Sequence, residues 1–143
     1  MSAVPIHAAT SSDAIRLELE EVLKLQRAAY FAHPYPTFAE RKADLLKLKA
    51  FIKDNRDAIV DAISADYGNR SRHETLFAEI FSVVDGVEHT LKHLKTWMKP
   101  QRRGVDIKNF FGAKNRVVPQ PLGIVGAIVP WNFPINLSFS GLN

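Results

Sequence analysis

From Val117 to Asn143 the chain carries no charged side chain, and inside that stretch Ile124–Val129 is an unbroken apolar run. This feature constrains the fold most. An apolar run of strand length with no polar alternation has no side to show to water, so it reads as a strand buried on both faces of a parallel sheet. It does not read as a membrane span, because Gly123, Gly126, Pro130, Asn132 and Pro134 interrupt it. A strand of this kind needs neighbours on both edges, and the residues after it supply none. The expectation is therefore part of a larger α/β protein.

The residues before the run are helical in pattern. Residues 1–11 are small and polar and are expected to fray. From Ser12 to Ala32, Ile15, Leu19, Val22 and Leu23 share one helical face, and Pro34-Tyr35-Pro36 closes the segment. Thr37-Phe-Ala-Glu40 has the form of a capping box and opens a second helix, with Leu45, Leu48 and Ile52 directed inward. Asn55 breaks or re-caps the chain. A third helix follows with Ile59, Val60 and Ile63 inward, and Gly68 ends it as a left-handed cap. A long helix is expected from His73 to Met98, since Leu76, Ile80, Val83, Val87, Leu91, Leu94 and Met98 recur at steps of three and four. Pro100 stops it. Val105–Phe111 and Arg116–Val118, around Gly112-Ala-Lys-Asn115, read as a β-hairpin.

Charge is distributed unevenly. Acids and bases nearly balance over residues 1–98, whereas residues 99–116 set Lys99, Arg102, Arg103, Lys108, Lys114 and Arg116 against the single acid Asp106. Beside Phe110 and Phe111 such a stretch could hold phosphates and stack on bases; the competing reading is a solvated hairpin at an oligomer interface. The chain has no cysteine, which excludes disulfides, thiolate metal sites and a cysteine nucleophile of its own. The first residues lack a basic segment followed by an apolar run, so no leader is read and a cytoplasmic address is the default.

The most specific string is Pro121-Leu-Gly-Ile-Val-Gly-Ala-Ile-Val-Pro-Trp-Asn-Phe-Pro134. It sets Trp131 and Asn132 just past the carboxyl end of the expected strand, where open α/β sheets bind ligands. Pro130 and Pro134 stiffen the loop. The Asn132 amide is a neutral donor that can hold a developing oxyanion; equally, it can bond the local backbone and lock a turn. His89 and His93 stand four apart on a helix, a metal-ligand spacing, but no glutamate lies between them and no third ligand is evident. No metal site is assigned.

The PLGIVGAIVPWNFP string resembles the signature at the first strand of the aldehyde dehydrogenase cofactor domain. Upstream, Thr37, Arg41, Leu45, Leu48, Ile52, Asn55, Ile59 and Asp66-Tyr-Gly68 are similar to the family's early helices. Glu79 through Trp97-Met-Lys-Pro100 is similar to the long helix before its hairpin. Asn69-Arg-Ser-Arg-His-Glu-Thr-Leu76, followed by Ala78-Glu-Ile80, looks most like the class-3, coniferyl aldehyde dehydrogenase branch. The resemblance implies an α/β fold of N-terminal helices, a hairpin and the first strand of a Rossmann-like cofactor domain, truncated. It divides the chain into a flexible 1–11, a helical 12–100, an oligomerisation-type hairpin at 101–120, and an incomplete strand and loop at 121–143.

It implies, further, that the intact protein oxidises an aldehyde, such as coniferyl aldehyde, to its acid with NAD or NADP, as a homodimer without nucleic acid or membrane. In that family a cysteine thiolate attacks the carbonyl and the Asn of PWNFP holds the oxyanion. The resemblance thus gives Asn132 a catalytic role and Ile128, Val129, Pro130 and Trp131 the cofactor edge. Lacking the cysteine, the chain by itself is expected to be inactive. The alternative from another class is a standalone helical interaction or basic nucleic-acid-binding module.

Overall fold

The computed structural model describes residues 12–142; the expectations for residues 1–11 and for Asn143 lie outside the described residues. The elements in order are α1 (Ser12–Ala32), α2 (Phe38–Asp54), α3 (Arg56–Tyr67), α4 (Arg72–Thr75), a π-helical segment (Leu76–Phe81), α5 (Ser82–Trp97), β1 (Gln101–Arg103), β2 (Asn115–Val117) and α6 (Pro134–Ser140). They form two compact units. One consists of α1 with residues 121–125; the other holds residues 36–120 and the chain from 126 onward.

The larger unit is a helical layer built on the expected stripes. The capping box at Thr37 forms: its backbone N–H donates to Glu40 at 2.7 Å, and the Glu40 N–H donates back to the Thr37 hydroxyl at 3.3 Å. Asn55 serves the end of α2 rather than the start of α3, its side-chain amide donating to the Phe51 carbonyl at 2.8 Å. Gly68 closes α3 with φ 77°, where a Cβ would be strained. Leu45 and Ile52 of α2, Val60 of α3, Ile80 of the π segment, and Val83, Val87 and Leu94 of α5 form the buried core. Leu48, Ile59, Leu76, Leu91 and Met98 pack against it. Each fully buried aliphatic side chain contributes about 1.5–3 kcal/mol, so this stripe is what joins α2 to α5.

The expected long helix is not α-helical throughout. Thr75, Glu79, Val83 and Val87 are all buried, and three successive steps of four would carry an α-helical stripe about 120° around the axis. The wider π turn takes up part of that drift and turns both Glu79 and Ile80 inward. Ser82 supports it by donating its hydroxyl to the Phe77 carbonyl, five residues back, at 3.1 Å.

The hairpin exists, but its first arm is Gln101–Arg103, not Val105–Phe111. The strands are antiparallel with Arg102 opposite Arg116. Asp106 diverts the chain between them: its carboxylate accepts from the Lys108 N–H (3.1 Å) and the Asn109 amide (2.6 Å), and its carbonyl accepts from the Phe110 N–H (2.9 Å). Local turn bonds of this kind compete with a ladder and here prevail over β propensity.

The run Ile124–Val129 departs from expectation as well. Residues 121–130 have no regular secondary structure, and among the described residues the sheet has only β1 and β2. The physical reason is that strand geometry is stabilised by ladder bonds to a neighbour, and none pairs with this run among the described residues. In the smaller unit Gly123 adopts φ 90°, and the ring of Tyr30 lies 3.5 Å from where a Cβ would stand. The α1 face of Ile15, Leu19, Val22 and Leu23 is exposed. Periodicity shows which side of a helix is apolar, not whether a partner covers it.

Candidate functional site

The loop of Pro130–Pro134 lies against the end of α3 and the π segment, held from behind by two side chains, while a third holds the helix that follows it. Tyr67, the last residue of α3, donates its hydroxyl to the Trp131 carbonyl. Arg70, in the turn after α3, donates from Nη1 to the Asn132 carbonyl at 3.0 Å and to Glu79 Oε1 at 3.1 Å. Glu79 uses its other oxygen to accept the N–H groups of Ile135 (3.1 Å) and Asn136 (2.7 Å), the first turn of α6. A carboxylate there satisfies orphan donors and faces the positive end of the helix. Asn136 also donates its side-chain amide to the Ala78 carbonyl at 2.8 Å.

This network is buried at its centre. The Arg70 side chain is 5% exposed and that of Glu79 0%. The guanidinium carbon lies 5.1 Å from the ring centre of Tyr67 and 5.0 Å from that of Phe133, so the cation packs over two aromatic rings. Its Nη2 stands 3.3 Å from Glu74, near enough for charge attraction but off-axis for a hydrogen bond.

The front of the loop is open. Asn132 is exposed, and its side-chain amide makes no hydrogen bond among the described residues. The loop is therefore not locked through the Asn132 side chain; its backbone carbonyl carries the bond. Ile128 is fully exposed, Val129 half-buried, Pro130 exposed and Trp131 80% exposed. Trp131 leans on Tyr67 with ring centres 6.4 Å apart, and with Ile63, Asp66 and Pro134 these two line a shallow hollow of about 440 Å³. The exposed apolar side chains of Ile128, Pro130 and Trp131 suit contact with a flat ring or a sugar. Anchoring phosphates calls for a glycine-rich turn at a helix N-terminus, and no GxGxxG occurs in the chain.

Two further hollows lie away from this loop. One of about 540 Å³, between α2 and the end of α5, is lined by Leu45, Leu48, Leu94 and Met98 with Arg41 and Asp44 at its side. The other, about 560 Å³, runs along the hairpin beside Arg102, Arg103, Lys114 and Arg116. The rings of His89 and His93 lie 4.1 Å apart and tilted, with His93 Nδ1 2.7 Å from the His89 carbonyl and the His93 ring stacked on Trp97. No group of three or more potential metal-ligating residues occurs among the described residues.

Sequence reasoning brought Trp131 and Asn132 together on one loop but gave no role to Tyr67, Arg70 or Glu79. The signal for Glu79 was present: a carboxylate four residues from Thr75 and four from Val83, inside an inward stripe. An apolar count passes over such a residue.

A helical layer, an antiparallel hairpin and an anchored Pro-Trp-Asn-Phe-Pro loop that exposes the Asn132 amide define an α/β-class segment. A model of the aldehyde dehydrogenase family matches residues 5–142, and the chain belongs to that family. It is 43% identical over 125 residues to a probable coniferyl aldehyde dehydrogenase of Pseudomonas aeruginosa, covering 87% of this chain and 26% of that protein. It is 39% identical over 125 residues to a coniferyl aldehyde dehydrogenase of a Pseudomonas species, covering 87% and 25%. It is 35% identical over 134 residues to a probable coniferyl aldehyde dehydrogenase of Caulobacter vibrioides, covering 92% and 28%. The chain thus spans about a quarter of the length of the curated relatives it matches. Between the two function classes open to the sequence, these matches favour the enzyme family over a standalone module.

Proposed function

We propose that this chain is the N-terminal segment of an NAD(P)-dependent aldehyde dehydrogenase, in which Asn132 donates its side-chain amide to the oxyanion formed when the aldehyde carbonyl is attacked. The observation that carries this reading is the two-sided loop: the Asn132 carbonyl is held inward by Arg70 while its amide stands exposed with its donors uncommitted. A donor already placed where charge develops stabilises the transition state with little reorganisation. Ile128, Val129, Pro130 and Trp131 form one edge of the cofactor cleft, where their apolar surface excludes water and orients a ring. When bound, NAD or NADP supplies the hydride acceptor. The similarity to coniferyl aldehyde dehydrogenases supports an aromatic substrate such as coniferyl aldehyde.

Having no cysteine, the 143-residue chain does not itself provide the nucleophile and is inactive alone. Residues 12–100 and 121–143 belong to the cofactor-binding domain, and the hairpin of 101–120 serves assembly of a homodimer. The facing arginines Arg102 and Arg116 support the latter, since like charges directly opposite destabilise an isolated ladder. No helix among the described residues is long and apolar enough to cross a membrane; the proposed location is the cytoplasm. In the full-length protein, Asn132→Ala is expected to lower kcat by about 10²–10³ with little change in cofactor binding. A kcat within twofold of wild type, with chemistry rate-limiting, would remove Asn132 from the mechanism.

A further inference from the structure

We infer that Arg70 is a positioning residue for the Asn132 amide, an inference that rests on the oxyanion role proposed above. Pro130 and Pro134 restrict φ at their own positions and leave the Asn132–Phe133 peptide plane free to turn. The Asn132 carbonyl lies in that plane, so the hydrogen bond from Arg70 Nη1, at 3.0 Å, restrains ψ of Asn132 and with it the direction of its side chain. The same Nη1 holds Glu79 Oε1 at 3.1 Å, and Glu79 holds the N–H groups of Ile135 and Asn136. One guanidinium therefore ties the residue carrying the amide to the first turn of α6, so loop and helix hold one register.

The guanidinium is itself held. It lies over the rings of Tyr67 and Phe133, at 5.1 and 5.0 Å from their centres, with its side chain 5% exposed. A planar cation can pack flat against such rings, whereas an ammonium has neither that plane nor an amino group whose two N–H bonds point in fixed directions at the two acceptors. Arg70 stays behind the loop: its bond is to the main chain, and the substrate-facing side belongs to the Asn132 side chain. Its effect on the reaction passes entirely through the aim of that amide.

The test is a double-mutant cycle in the full-length protein, measuring kcat and both KM values for Arg70→Met, Asn132→Ala and the double variant. The expected result for Arg70→Met is a kcat lower by about 10–100-fold, the scale of a misplacement near 1 Å, with the KM for NAD(P) within twofold. The double variant is expected to be no slower than Asn132→Ala alone, because an amide that is gone cannot be misdirected. Where Arg70→Met does not yield folded protein, Arg70→Lys takes its place in the cycle. It keeps a cation opposite Glu79 and loses the planar fork, and the same non-additivity is expected. A harmful Asn132→Ala combined with either additive losses or an unchanged kcat for the Arg70 variant overturns this inference alone. A neutral Asn132→Ala overturns the oxyanion reading and the inference with it.

Discussion

Two buried polar residues on adjacent turns of one helix behave in opposite ways. Glu79 is fully buried yet has an arginine and two N–H donors, so both its oxygens are satisfied. Removing one partner of such a pair strands the other charge and costs about 3–5 kcal/mol. Thr75 is equally buried, but its hydroxyl has no hydrogen-bond partner among the described residues. A buried, unpaired hydroxyl is unfavourable by about 1–3 kcal/mol. Valine has nearly the same shape and the same β-branched stiffness. Thr75→Val is therefore expected to stabilise the fold by about 1 kcal/mol, seen as a higher midpoint in thermal unfolding followed by circular dichroism. A midpoint several degrees lower would mean that the hydroxyl is bonded in solution.

Between elements, α2 and α5 are joined by the aliphatic stripe and at its margin by an ion pair, Lys49 Nζ to Glu88 at 2.7 Å. The hydrogen bond from Lys49, and then its charge, hold the Glu88 carboxyl below the ordinary glutamate value of 4.5. A depressed carboxylate pKa contributes stability above the unfolded value, and that contribution is lost as pH falls through the folded value. Glu88→Gln lacks it at every pH. The stability difference between wild type and Glu88→Gln is thus expected to be small but measurable at pH 7 and to shrink from pH 4.5 downward. A gap that widened in acid would assign the pair the wrong sign. Asp57 is lowered in the same sense, first by its hydrogen bond from Arg56 and also by the charge of Arg72, which ties α4 to α3 through Asp57 and Asp61.

Taken as one polypeptide, the chain presents large apolar side chains on its last third: Leu122 at 91% exposure, Ile128 at 102% and Trp131 at 80%. The main chain from 121 to 130 is in no ladder. Unpaired strand-forming backbone with exposed Ile and Val side chains is a template for pairing between molecules. The 143-residue polypeptide is expected to be helical and to self-associate, with sedimentation showing species larger than the monomer at micromolar concentration. Ile128→Lys places a charge within the run and should shift the distribution toward monomer while leaving the helical circular dichroism signal unchanged. A monodisperse wild-type monomer would contradict this account.

The helices could be read from the sequence because their causes are local. The capping box at Thr37, the left-handed glycine at Gly68 and the steps of three and four through Val83, Val87 and Leu94 act over a few residues of chain and appear in the structure where they were expected. The Pro-Trp-Asn-Phe-Pro loop could be read for the same reason, since its prolines carry their own restriction. Tertiary structure alone decided the rest. Whether Ile124–Val129 becomes a strand depends on a neighbouring backbone, which no property of those residues can supply. Whether a stripe of Thr75, Glu79, Val83 and Val87 could stay inward depended on a π turn that widened the helix. The loop's anchor joins Arg70 to Asn132 and Glu79 to Asn136 across more than fifty residues. A buried charge becomes stable only when its partners arrive, and those partners are chosen by packing rather than by position in the chain.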